Sequence, residues 1–95
     1  MNRVLIICYD LADPGQNRES LVRRIKEYGK WARICSSAYL IRTNVAPKDV
    51  RDNLATVLLI NDRIFVGVCT APSAWTGMPE AIGKWIVANQ TKDEF

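Results

Sequence analysis

Near the start of the chain six apolar residues run without a break, Val4-Leu5-Ile6-Ile7-Cys8-Tyr9, and Asp10 ends the run. A strand with one wet face alternates apolar and polar residues, so this run predicts a strand covered on both faces. The character of the chain then changes at once, and Asp10-Leu11-Ala12-Asp13-Pro14-Gly15 reads as a loop. In sheets built from β-α units, ligands sit just beyond the C-terminal ends of strands. Asp10 stands at that place. Two readings of it stand side by side: it shapes the turn by bonding its own loop amides, or it holds a ligand.

After the Pro14-Gly15 turn, Asn17 is the expected N-cap of a helix over Arg18 to Tyr28. Leu21, Val22, Ile25 and Tyr28 share one face of that helix, and Gly29 follows where a left-handed residue is wanted. Trp31 to Thr43 reads as strand, interrupted at Ser36-Ser37. A strand with a bend and two strands joined by a very tight connection both fit. Pro47 suits the first turn of a second helix, whose stripe is Val50, Leu54, Val57 and Leu58. Asn61-Asp62 marks the turn out of it. Arg63 to Thr70 is the last strand, and Ile64 to Cys69 again lacks alternation. A loop follows, Pro79 opens a third helix with the stripe Met78, Ile82, Trp85 and Ile86, and the tail from Thr91 to Phe95 reads as polar and frayed.

The order predicts one α+β domain over residues 1–95, a ferredoxin-like βαββαβ fold with an added C-terminal helix. Two helices cover one sheet face. Because both outer runs look apolar on both sides, the second face needs the third helix, a partner subunit, or both. A chain of 95 residues has little core to spare, so a homodimer is expected.

The composition narrows the chemistry. The chain contains no histidine, which removes the commonest general base and metal ligand. Any enzyme here works through carboxylates, a hard cation, or Ser, Tyr, Lys and Arg. Asp10 is therefore the candidate metal-binding and catalytic residue. Mg2+ is content with one or two carboxylates and several waters, and two copies of Asp10 meeting across a two-fold axis make a credible site. The net charge is +3, and Arg18, Arg23, Arg24, Lys26, Lys30 and Arg33 lie close together with only Glu19 and Glu27 between them. With Arg42 and Arg63 they suit a phosphate backbone of DNA or RNA; a solvated helix face with local ion pairs suits them equally.

The remaining residues read more plainly. The three cysteines are widely spaced in apolar stretches and are expected as buried, reduced thiols. Trp85 belongs to a helix stripe and is expected in the core. Packing is the first reading for Trp31 and Trp75 too, with base stacking as the alternative for Trp75. No segment approaches membrane-spanning length and the start lacks a signal-peptide cleavage pattern, so a cytoplasmic protein that does not enter the membrane is expected. No cofactor other than Mg2+ is expected, since no Gly-rich phosphate loop, redox motif or nucleophile triad is present.

A strand ending in Tyr9-Asp10, a polar turn, an Arg-rich helix closed by Gly29, and a strand carrying Ser36-Ser37 resemble the smaller of the two CRISPR adaptation proteins, whose broad superfamily includes the toxin-like VapD proteins. Tyr9-Asp10-Leu11, Pro14-Gly15-Gln16-Asn17, Ser37 with Tyr39-Leu40-Ile41, and Asn61-Asp62-Arg63-Ile64-Phe65-Val66 are similar to small bacterial and phage proteins described as SinR-like. The resemblance implies a ferredoxin-like fold, a two-fold dimer, and either metal-dependent nuclease activity, with Asp10 at the family's metal position, or DNA holding without chemistry. A protein-binding adaptor is the third reading. The family usually ends in an extra strand that pairs with the partner, whereas here the segment after Thr70 reads as loop and helix.

Overall fold

The computed structural model describes residues 2–90, and the expectation of a frayed tail over residues 91–95 lies outside them. The elements are β1 (Arg3–Asp10), α1 (Pro14–Lys26), β2 (Lys30–Cys35), β3 (Ala38–Thr43), α2 (Pro47–Ala55), β4 (Arg63–Val68) and α3 (Glu80–Asn89). The four strands form one antiparallel sheet in the order β2-β3-β1-β4. This is the ferredoxin-like α+β arrangement with a helix added at the C-terminal end.

The unbroken run in β1 works as its pattern demands. Leu5, Ile7 and Tyr9 point into a core with Leu21 and Ile25 of α1, Val50 and Leu54 of α2, and Tyr39 and Ile41 of β3. Val4, on the other face, joins Leu40 and Ile86 of α3 in a second, smaller core, with Ile6, Ile82 and Trp85 packed against it. Strand alternation thus serves two cores at once. Thr43 is among the few buried polar side chains; its hydroxyl accepts from Val45 N–H at 3.2 Å.

The second cover is incomplete. α3 packs against β2 and β4 lies at the far edge of the sheet. Phe65 is consequently 62% exposed, so α3 does not by itself supply the cover that the last strand was expected to need. Its lack of alternation reflects an apolar residue left in the open.

Two local expectations need correction, and one open choice is settled. Asn17 is not the N-cap: α1 starts earlier, with Asp13 at the cap and Pro14 in the first turn, and Asn17 is buried inside the helix. Pro14 fits there because a first-turn N–H has no helical partner to lose. Ser36-Ser37 is a two-residue reversal between β2 and β3, with a bulge between Arg33 and Cys35, so the tight-connection reading holds. The cysteines are free thiols, but Cys35 is exposed and Cys8 and Cys69 only partly buried. Gly29, at φ 92°, takes the left-handed backbone expected after α1, and Asn61, at φ 71°, takes it in the turn before β4. Among the described residues no helix is long and apolar enough to cross a membrane.

Candidate nucleic-acid interface

The end of β1 meets two other pieces of chain. Tyr9 N–H donates to the Ser37 carbonyl at 3.0 Å, and the Tyr9 hydroxyl donates to the Ser36 carbonyl at 3.2 Å. These bonds hold the β2–β3 reversal beside Asp10. The start of α1 closes the other side. Tyr9, Asp10, Pro14, Arg18, Ser36 and Ser37 together line a cavity of about 260 Å3. Asp10 itself is exposed.

Beyond Arg18 the cavity opens into a groove of about 640 Å3 between α1 and β2–β3, walled by Pro14, Arg18, Val22 and Lys26 on one side and by Arg33 and Tyr39 on the other. Residues four apart on a helix lie one above another, so Pro14, Arg18, Val22 and Lys26 make a row that leaves Leu21 and Ile25 for the core. Arg33 donates to the carbonyls of Cys35 and Ser36 at 3.3 and 3.4 Å, which turns it along the hairpin. Burial pushes the Tyr9 phenol above its ordinary value and nearby Tyr39 adds to this, while Arg18 and Arg33 pull against it.

The structure divides the basic residues expected to act together. Arg18, Lys26 and Arg33 share the groove. Arg23 points away and forms an exposed i,i+4 pair with Glu19 at 3.1 Å, which also engages the one acid on the groove wall. Arg24 donates to Asn53 Oδ1 of α2 at 2.9 Å. Lys30 faces Arg42 across β2 and β3, and Arg42 donates to the last α3 carbonyl, of Asn89, at 3.2 Å. Arg23, Arg24 and Lys26 also suit the negative end of α1, whose last turn they occupy.

The tryptophans divide similarly. Trp85 packs against the second core. Trp75, in the segment between β4 and α3, packs against α3, where a Cβ at Gly83 would stand 3.2 Å from its indole nitrogen, and it lines a hollow of about 470 Å3 with residues of that helix. Trp31 is 37% exposed at the Lys26 end of the groove, with the Lys26 ammonium 4.6 Å from its ring centroid.

A network that sequence reasoning missed sets the loop after Asp10. Asp62 accepts from Ala12 N–H at 2.8 Å, Leu59 N–H at 2.7 Å and Asn17 Nδ2 at 2.9 Å. The two backbone donors, Leu59 first, hold its carboxyl below the usual carboxylate range, and Asn17 adds to them. Asn17 Nδ2 also donates to the Val57 carbonyl at 2.8 Å. Asp62 in a turn was a visible signal, because Asp bonds loop amides readily; its reach to Ala12 was not.

One chain offers a metal at this place the carboxylate of Asp10 with two cations near it. Asp10 shares its cavity with Arg18 and stands opposite Arg63 in the β1–β4 ladder. No group of three or more His, Cys, Asp or Glu is gathered for a metal among the described residues.

No family model matches the chain, and no curated protein matches it. Among solved structures it is similar to hypothetical protein TT1823 from Thermus thermophilus, with a TM-score of 0.68 and 20% identity over 82% of this chain and 94% of that one. At that identity the likeness is one of fold.

Proposed function

We propose that this is a small dimeric protein that associates with nucleic acid and is related to the CRISPR adaptation subunit and the VapD-like and SinR-like proteins that its sequence resembles. The observation that carries the reading is the row of cations in the groove: Arg18, Lys26 and Arg33 converge there, none in an ion pair among the described residues. A groove whose cations outnumber its one acid, itself paired with Arg23, draws a polyanion and binds its backbone without reading sequence.

The dimer reading draws on the uncovered end of the second sheet face. Phe65 and Cys8 are register partners there, and Asp10 with Arg63 is the next pair on the same face. A second copy seated on Phe65 brings its own Asp10 toward the first. A phosphodiesterase built on Asp10 requires that second copy, because one chain offers the cation there the carboxylate of Asp10 with two cations near it. Binding without chemistry requires only the groove.

The test is a titration of labelled DNA and RNA, single-stranded and duplex, over a range of salt. The double variant Arg18→Gln/Arg33→Gln is expected to weaken binding to every sequence and to flatten the salt dependence by about two counterions. Unchanged binding in that variant would leave the groove a solvated surface and put a protein-binding adaptor first.

A further inference from the structure

We infer that the groove takes a single strand of nucleic acid, with phosphates on Arg18 and Arg33 and a base stacked on Trp31. The inference rests on the nucleic-acid reading above and narrows it to one substrate class and one aromatic residue. Arg18 and Lys26 lie two turns apart on α1, about 12 Å along its axis. Arg33 and Tyr39 face them from the hairpin. At the Lys26 end the wall becomes aromatic. The Trp31 and Tyr39 ring centroids are 6.0 Å apart, and the rings are tilted by 56°. Tyr39 is buried and supports the indole from below, while Trp31 keeps 37% of its surface exposed. It does so on β2, at the edge of the sheet among the described residues.

An exposed indole held at one end of a cationic groove suits a ligand with both a phosphate and a flat ring. Unpaired bases offer their faces to aromatic side chains, and such stacking tolerates any sequence. The bases of a duplex are already stacked on one another, and its paired strands do not enter a crevice between one helix and the neighbouring hairpin. Lys26 stands over the Trp31 ring at 4.6 Å, where it shields the indole in the absence of ligand. Its flexible stem lets it move aside to a phosphate.

Tryptophan fluorescence and labelled-strand binding test this together, with oligothymidylate, a duplex of the same length and thymidine monophosphate as probes. The single strand is expected to quench the emission and to bind at least about tenfold tighter than the duplex. Trp31→Leu should remove most of the quench and weaken the single strand about tenfold, with duplex binding unchanged. Trp31→Phe, which keeps a ring for packing on Tyr39, should recover part of the affinity, and thermal melting confirms that both variants fold. Equal affinity for strand and duplex, or quenching and affinity unchanged in Trp31→Leu, overturns the inference while the nucleic-acid reading survives. Binding of the monophosphate as tight as that of the strand overturns it in favour of a nucleotide site. Failure of every probe to bind overturns both readings.

Discussion

Asn17 Nδ2 donates to Asp62 Oδ2 at 2.9 Å, tying the first turns of α1 to the turn that leads into β4. The same carboxylate receives Ala12 N–H, two residues beyond Asp10. The loop that follows the candidate acid is thus set by a turn distant in sequence.

Asp62 should make the protein sensitive to acid. Its carboxyl is held below the usual range by Leu59 and Ala12 N–H, then by Asn17. A group depressed in the folded state stabilises it fully above the unfolded pKa, near 4, and that stability is lost as pH falls through the folded value. Melting temperatures of the parent and Asp62→Asn should therefore differ at neutral pH and converge below about pH 4. A constant gap across the whole range would count against this role.

Asn17→Ala should destabilise the fold by about 1–3 kcal/mol, read by chemical denaturation. The side chain is buried, and its loss leaves the Val57 carbonyl without the donor it now has at 2.8 Å. Asn17→Asp should be worse, because it sets a second carboxylate against Asp62 and that carbonyl. A loss under about 0.5 kcal/mol for Asn17→Ala is what an ordinary surface site would show.

Self-association should depend on Phe65. The parent is expected to sediment as a dimer at micromolar concentration, and Phe65→Asp as a folded monomer, because the ring is 62% exposed and contributes little to either core. The ring lies along its own strand over Gly67, where a Cβ would stand 2.9 Å from Phe65 Cε2. Gly67→Ala should therefore displace the ring and weaken the dimer without unfolding the chain. A parent that sediments as a monomer throughout the range would refute the dimer.

Asp10→Asn separates binding from chemistry. Asp10 is exposed, so the variant should melt within about 0.5 kcal/mol of the parent. With divalent cations chelated, it should bind nucleic acid about two- to fivefold tighter, since one negative charge beside Arg18 is removed from the end of a basic groove. Weaker binding would show that Asp10 itself contacts the strand. Cleavage that needs Mg2+ or Mn2+ and is lost in Asp10→Asn would establish the catalytic reading.

The sequence by itself determined the order of elements and both faces of β1. Those are local facts: an unbroken apolar run leaves no wet side, Pro47 can open a helix because it lacks an N–H, and Gly29 can take a backbone that other residues resist. Only the tertiary structure decided what the charged residues do. Arg18, Arg23 and Arg24 are neighbours in sequence, yet a helix turns each by about 100° per residue. One faces the groove, one pairs with Glu19, and one reaches Asn53 on α2. The same holds for Asn17, which the sequence suggests as a cap and the fold uses as a buried link to Asp62. Apolar patterns are legible because burial acts on whole faces. The partner of a single polar atom depends on what folding brings within about 3 Å of it, and a turn forty-five residues away supplies it here.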